Sequence, residues 1–192
     1  SYYLIKKMKY KPPYWFHDNI KFSEKQIQDL KDDMNNLVDE KQQNPKTNIS
    51  TYFLKDENSG KYMSHKNMNL DKKFNDFYSK VVESITKSVG IYHRVRYEYS
   101  YWSQLYKKDM IHVPHHHASE NEIISWVHFL DVAKKKCFRF TDTMGNILIP
   151  NEQSNGDIIC FPSWVWHEAL PHNEDYDRLI IAGNISITKY DN

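Results

Sequence analysis

Apolar residues recur at helical spacing twice before residue 91 and at strand spacing after it. Ile27, Leu30, Met34, Leu37 and Val38 share one face of a 3.6-residue period that runs to about Lys41. Ahead of them, Ser23-Glu24-Lys25-Gln26 is a capping box, in which the serine and glutamine side chains satisfy each other's backbone N–H groups. A second stripe, Phe74, Phe77, Tyr78, Val81, Ile85 and Val89, predicts a helix starting near Asp71 and stopped by Gly90. Each stripe is the face of a helix packed on a sheet. Residues 44–68 are polar and irregular, with one short strand expected at 49–54.

From Ile91 the period falls to two. Tyr92, Arg94, Arg96, Glu98 and Ser100 interleave with His93, Val95, Tyr97, Tyr99 and Tyr101. Further strands are expected at 123–130, 136–140, 147–150, 157–161 and 178–187, with turn residues at 107–109, 144–146, 155–157 and 172–173. Helices first and strands later, without βαβ alternation, predicts a mainly β fold with flanking helices (α+β). The expected architecture is an antiparallel jelly-roll with two amino-terminal helices packed against its major sheet. It forms a single domain over 1–192. Residues 1–90 are the helical and strand support, and 91–192 the jelly-roll core.

Composition narrows the function classes. The 192 residues carry a formal net charge of +1, so charge gives no case for nucleic acid or an anionic membrane surface as partner. No apolar run approaches membrane-spanning length. Two cysteines, Cys137 and Cys160, read as reduced thiols in an intracellular, cytoplasmic protein, with Cys160 in the core. The chain begins at Ser1 without a methionine, which leaves a targeting segment ahead of it open. Fourteen tyrosines favour β-structure and wet, amphipathic sites.

The candidate chemistry lies in histidine. Four of the ten histidines, His112, His115, His116 and His117, crowd into six positions. In an extended segment His115 and His117 project together and His116 points away. Pro114 favours that extension by restricting Val113. His167 follows the apolar run Ile158-Ile159-Cys160-Phe161, which would deliver it to the same barrel mouth. Three nitrogen ligands on one side of a metal leave positions open for substrate and oxygen. Arg178 offers a bidentate anion contact. By itself the histidine run reads as a surface cluster, and Arg178 as a strand-edge arginine paired with Asp175 or Asp177. The spacing of His167 and Arg178 favours the site. His112 and His116 are assigned to support or solvent, and His17 and His65 to the surface. His128 is a pocket-lining candidate, as are Trp102 and Gln104. Trp164 and Trp166 are assigned to packing.

These segments resemble 2-oxoglutarate- and Fe(II)-dependent oxygenases of the prolyl-4-hydroxylase-like type. Tyr106 stands nine residues before His115, as the family places a tyrosine before its first ligand. The stretch from Asn155-Gly156-Asp157 through Phe161-Pro162-Ser163 to His167 is similar to the family's Gly-Asp, apolar strand, Phe-Pro and distal histidine. Arg178, eleven residues beyond His167, matches the arginine that pairs with the far carboxylate of 2-oxoglutarate. With Ser125-Trp126-Val127-His128-Phe129-Leu130 and Asn184, the likeness is to uncharacterised oxygenases of phages and marine bacteria. It covers roughly residues 97–187.

The resemblance implies a double-stranded β-helix, cupin-like in form, that binds Fe(II) through His115, His117 and His167. It implies 2-oxoglutarate as co-substrate on Arg178, with Tyr106 and Asn184 assisting, and O2 as oxidant. The activity implied is hydroxylation of a small-molecule or peptidyl substrate coupled to decarboxylation of 2-oxoglutarate, in a cell that could be a phage-infected host. His117 departs from the family's His-x-Asp. Imidazole brings no charge where a carboxylate would, and Glu120 or Glu168 is the alternative donor. Ile180 stands where the family often has a serine. Two other readings follow from the residues: a cupin-like three-histidine dioxygenase without 2-oxoglutarate, and a non-catalytic jelly-roll binding module.

Overall fold

The computed structural model describes residues 11–41, 65–67, 72–93, 95–118 and 121–190. The strand expected at 49–54 lies outside them.

Both helices form where the apolar stripes place them. Helix α1 spans Glu24–Lys41 and α2 spans Lys72–Ser88. The capping box is present: the Ser23 N–H reaches Gln26 Oε1 at 3.0 Å, and the Gln26 N–H reaches Ser23 Oγ at 3.3 Å. At the end of α2 the Ile91 N–H bonds to Thr86 O at 3.0 Å and the Gly90 N–H to Lys87 O at 3.1 Å, with Gly90 at φ 74°. This Schellman closure needs a left-handed residue, which glycine supplies without steric cost. The apolar stripe ends earlier than expected, because Val89 is exposed while Val82 is fully buried.

Among the described residues there are ten strands, in chain order β1 Trp15–Asn19, β2 His65–Asn67, β3 Val95–Tyr106, β4 His112–His115, β5 Glu122–Asp131, β6 Phe138–Thr141, β7 Ile147–Leu148, β8 Asp157–Pro162, β9 His167–Ala169 and β10 Arg178–Tyr190. They make two antiparallel sheets, β1-β8-β5-β10-β3-β2 and β4-β9-β6-β7. Sequence periodicity missed β1, β2 and β9. They hold only three to five residues, and β1 owes its form to pairing with β8 rather than to its polar sequence.

The large sheet buries both faces, and alternation sorts its residues between two cores. One face carries Leu105, Ile124, Trp126, Leu130, Ile158, Cys160, Leu179, Ile181 and Ile185. These pack on Leu30 and Met34 of α1 and on Phe74, Tyr78, Val81, Val82 and Ile85 of α2. The other face carries Trp102, Tyr106, Val127, Phe129, Ile159, Phe161, Ile180 and Ala182. These meet Phe138, Phe140 and Ala169 of the small sheet. This second core is the interior of the jelly-roll. Gly183, on the helix side of β10, lets Trp126 lie against the strand; a Cβ there would meet that ring at 2.4 Å.

His128 belongs to the helix-side core and does not line the barrel interior, which corrects its assignment as a pocket residue. It is one position out of phase with Val127 and Phe129. Its Nε2–H donates to Ile20 O at 2.7 Å, and its Nδ1 accepts from the Tyr78 hydroxyl at 2.9 Å. Burial pushes its pKa down to about 4. The unfolded chain therefore takes up a proton first as pH falls below the ordinary value of about 6.5. His128 should lower stability progressively between about pH 6.5 and about pH 4, by about 3 kcal/mol in all, with no further loss below that range. Urea denaturation at pH 7 and pH 4.5 checks this. A His128→Gln variant should lose less stability over the interval, and equal losses would contradict the assignment.

Candidate metal centre

The small sheet brings the proposed ligands together by strand register. His115 on β4 stands opposite His167 on β9, and directly opposed residues of an antiparallel pair hold their side chains in contact. His117 lies just beyond β4, where its N–H donates to Ser163 O at 2.8 Å. The three rings are 4.9 Å (His115–His117), 4.2 Å (His115–His167) and 5.1 Å (His117–His167) apart between centroids. One nitrogen of each lies within 4.8 Å of the others. His116 turns outward, exposed, with its ring 4.6 Å from Trp166. The alternation expected from the sequence is therefore the one observed.

The surroundings orient the ligands. His115 Nδ1 sits 2.8 Å from Val113 O, and His167 Nδ1 sits 3.0 Å from Val165 O. Each Nδ1–H donates to a carbonyl two residues back, so Nε2 is left as the lone-pair donor. Burial, and after it the neighbouring His115 and His117, hold the His167 pKa well below the ordinary histidine value. His167 is thus held in the neutral form that a metal requires. His112 stacks on His115 at 4.0 Å and lies 2.6 Å from Gln104 Nε2. Gln104 Oε1 accepts from the Trp102 indole at 3.3 Å. This Trp102–Gln104–His112 support was only partly visible in the sequence, where Trp102 and Gln104 shared a strand face without an assigned partner.

No carboxylate joins the cluster among the described residues. Glu168 is excluded as the alternative ligand. It follows His167 on β9 and faces the other way, where it accepts from Arg139 Nε at 2.7 Å. Glu120 lies outside the described residues. Trp164, expected to pack, is instead 59% exposed in the turn ahead of β9.

Arg178 opens β10, between β3 and β5, and so is not a strand-edge residue. It is 6% exposed. Its Nη2 donates to Leu170 O at 2.9 Å, and its guanidinium lies 4.4 Å above the Tyr106 ring. Its Nε is buried without a partner, and neither Asp175 nor Asp177 pairs with it. Burial lowers its pKa from the ordinary arginine value. Arg178 lines a small pocket with Phe129, Cys137, Gln153 and Ile180. A buried guanidinium with an unused N–H and no carboxylate is built to receive an anion. Asn184 lies on the same interior face six residues along β10, and its amide is engaged by Ser125 and Glu122.

No family model and no curated protein sequence matches the chain. Its fold does match solved structures. A prolyl-4-hydroxylase from Pseudomonas putida superposes with a TM-score of 0.57 at 14% identity, covering 91% of both chains. The viral collagen prolyl hydroxylase of Paramecium Bursaria Chlorella virus-1, solved with 2-oxoglutarate, gives 0.58 at 13% identity, covering 92% of this chain and 96% of that one. SnoK, a non-haem α-ketoglutarate-dependent carbocyclase of nogalamycin biosynthesis, gives 0.60 at 11% identity, covering 92% and 81%. The chain has the jelly-roll fold of the 2-oxoglutarate/Fe(II) oxygenases, with a three-histidine cluster set in it.

Proposed function

We propose that this protein is an Fe(II)- and 2-oxoglutarate-dependent dioxygenase that hydroxylates a small-molecule or peptidyl substrate. The observation that carries this reading is the pairing of two features. An open cluster of three histidines and a buried arginine with a free N–H belong to one jelly-roll. The donor set fits Fe(II): the imidazoles converge, two have Nδ1 fixed by carbonyls, and the third, His117, is held through its backbone. Loaded there, Fe(II) with 2-oxoglutarate and O2 supplies the oxidising power for C–H hydroxylation coupled to decarboxylation of the co-substrate.

The protein's own part is positional. His115, His117 and His167 hold the metal from one side. Arg178 takes the far carboxylate of 2-oxoglutarate, with the Tyr106 ring against its guanidinium. Phe129, Val127, Ile180 and Ala182 line the interior and exclude water. Asn184, with Ser125, holds the opposite end of the interior row.

That no carboxylate joins the cluster among the described residues favours one competing reading, a three-histidine dioxygenase without 2-oxoglutarate. The unpartnered Arg178 Nε favours the first, and a structural metal would usually close with four protein ligands. Anaerobic addition of Fe(II) and then 2-oxoglutarate should produce a weak visible charge-transfer band, and O2 should then release succinate. A site that binds Fe(II) but shows neither belongs to the competing reading.

A further inference from the structure

Resting on that reading, we propose that Glu122 is a substrate-recognition carboxylate, and that the substrate carries a cationic group, ammonium or guanidinium. Three observations meet at this residue. The first is a β-bulge. Ile185 pairs with Ile124 and Ser186 with Glu122, so Ile123 is the extra residue on β5. Both Ile123 and Ile124 join the helix-side core. The bulge thereby turns Glu122 to the barrel side, against the parity of the rest of the strand, and bulges beside active sites re-aim side chains in this way.

The second is the fixing of that carboxylate. Asn184 Nδ2 donates to Glu122 Oε1 at 3.2 Å, and Ser125 Oγ donates to Asn184 Oδ1 at 2.8 Å. Ser125 Oγ also lies 3.1 Å from Ser163 Oγ. Ser163 in turn accepts from the His117 N–H at 2.8 Å, and its own N–H bonds to Ile123 O at 3.1 Å. Glu122 is thus tied through Ser163 to a candidate ligand, both by the bulge backbone and by a buried side-chain chain.

The third is charge. Glu122 is half-buried, and its one partner among the described residues is the neutral Asn184 amide. A partly desolvated carboxylate without a counter-ion gains most from a ligand cation. A lysine or arginine of the protein would have neutralised it; none does among the described residues.

The test uses the Fe(II)-loaded protein with 2-oxoglutarate and reads succinate release with probes matched in shape. Nα-acetyl-L-lysine is set against Nα-acetyl-L-norleucine, Nα-acetyl-L-arginine against Nα-acetyl-L-citrulline, and the same pairs are placed in short N-acetylated peptides, so that the side-chain cation is the difference read. Cationic members should stimulate release and neutral partners should not. Glu122→Gln, which keeps an acceptor for Asn184, should lower kcat/KM for the active probe about tenfold or more, mainly through KM. The charge-transfer band should persist in this variant. Preference for the neutral members, no response to any cationic member, or an unmoved KM would overturn the proposal. Failure of the oxygenase reading itself is separate, since it shows as a missing band in the wild type. Calorimetric binding of Nα-acetyl-L-lysine and Nα-acetyl-L-arginine to wild type and Glu122→Gln then decides Glu122 alone, and equal binding refutes it.

Discussion

Replacing His167 with alanine is expected to remove metal binding, with affinity falling by at least about 100-fold. Loss of an outer-shell partner alone typically costs about 10–100-fold, and His167 is itself one of three donors. Its ring is buried and its Nδ1 is committed to Val165 O, so the variant removes a donor Nε2 already aimed at the cluster. The variant also leaves the Val165 carbonyl unpaired, at about 1–3 kcal/mol of stability. The readout is therefore each protein's melting shift on adding Fe(II) or Mn(II) anaerobically, relative to its own metal-free form. Wild type should shift upward and His167→Ala should not. His117→Asp should keep the shift, because it supplies an oxygen donor and adds charge that neutralises the ion. A normal metal shift in His167→Ala would show that the ligand set is wrong.

Arg178→Met is expected to move two properties in opposite directions. Binding of 2-oxoglutarate should weaken about 10- to 100-fold, the usual range for losing a charge-assisted contact. The band should then vanish at concentrations that saturate wild type, while metal affinity is retained. Stability without 2-oxoglutarate should stay level or rise, by up to about 2 kcal/mol. The guanidinium is buried with its Nε unpartnered, so its desolvation is only partly offset, by Leu170 O and the Tyr106 ring. Methionine removes that cost and forfeits the bond to Leu170 O. Lower affinity with equal or greater stability marks a residue kept for binding. A fall in stability of several kcal/mol, with 2-oxoglutarate binding intact, would make Arg178 a structural residue.

Much of the site was legible because its geometry is local. His115 and His117 project together for the same reason that any i, i+2 pair does in extended chain, and His116 turns outward as that rule requires. The helices were legible because the capping box, the apolar stripes and Gly90 act within a few residues. What escaped detection depended on partners distant in sequence. His128 and Val127 are adjacent apolar-strand residues, and only the sheet's two-sided burial sends one to the helices and the other to the barrel. Glu168 was a plausible ligand until β9 placed it on the face opposite His167, against Arg139. Strand parity alone sends Glu122 away from the barrel, and the bulge at Ile123 reverses that parity.

By itself, then, the sequence determined the helix boundaries, most of the strands, and which three histidines share a face, since periodicity and turn chemistry are short-range. The tertiary structure decided the rest: that His115 meets His167 across a strand pair, that Arg178 is sealed inside with an unused N–H, and that Glu122 faces the barrel without a counter-ion. Those facts concern register and burial. Both are set by contacts between segments far apart in the chain, which no local pattern of residues encodes.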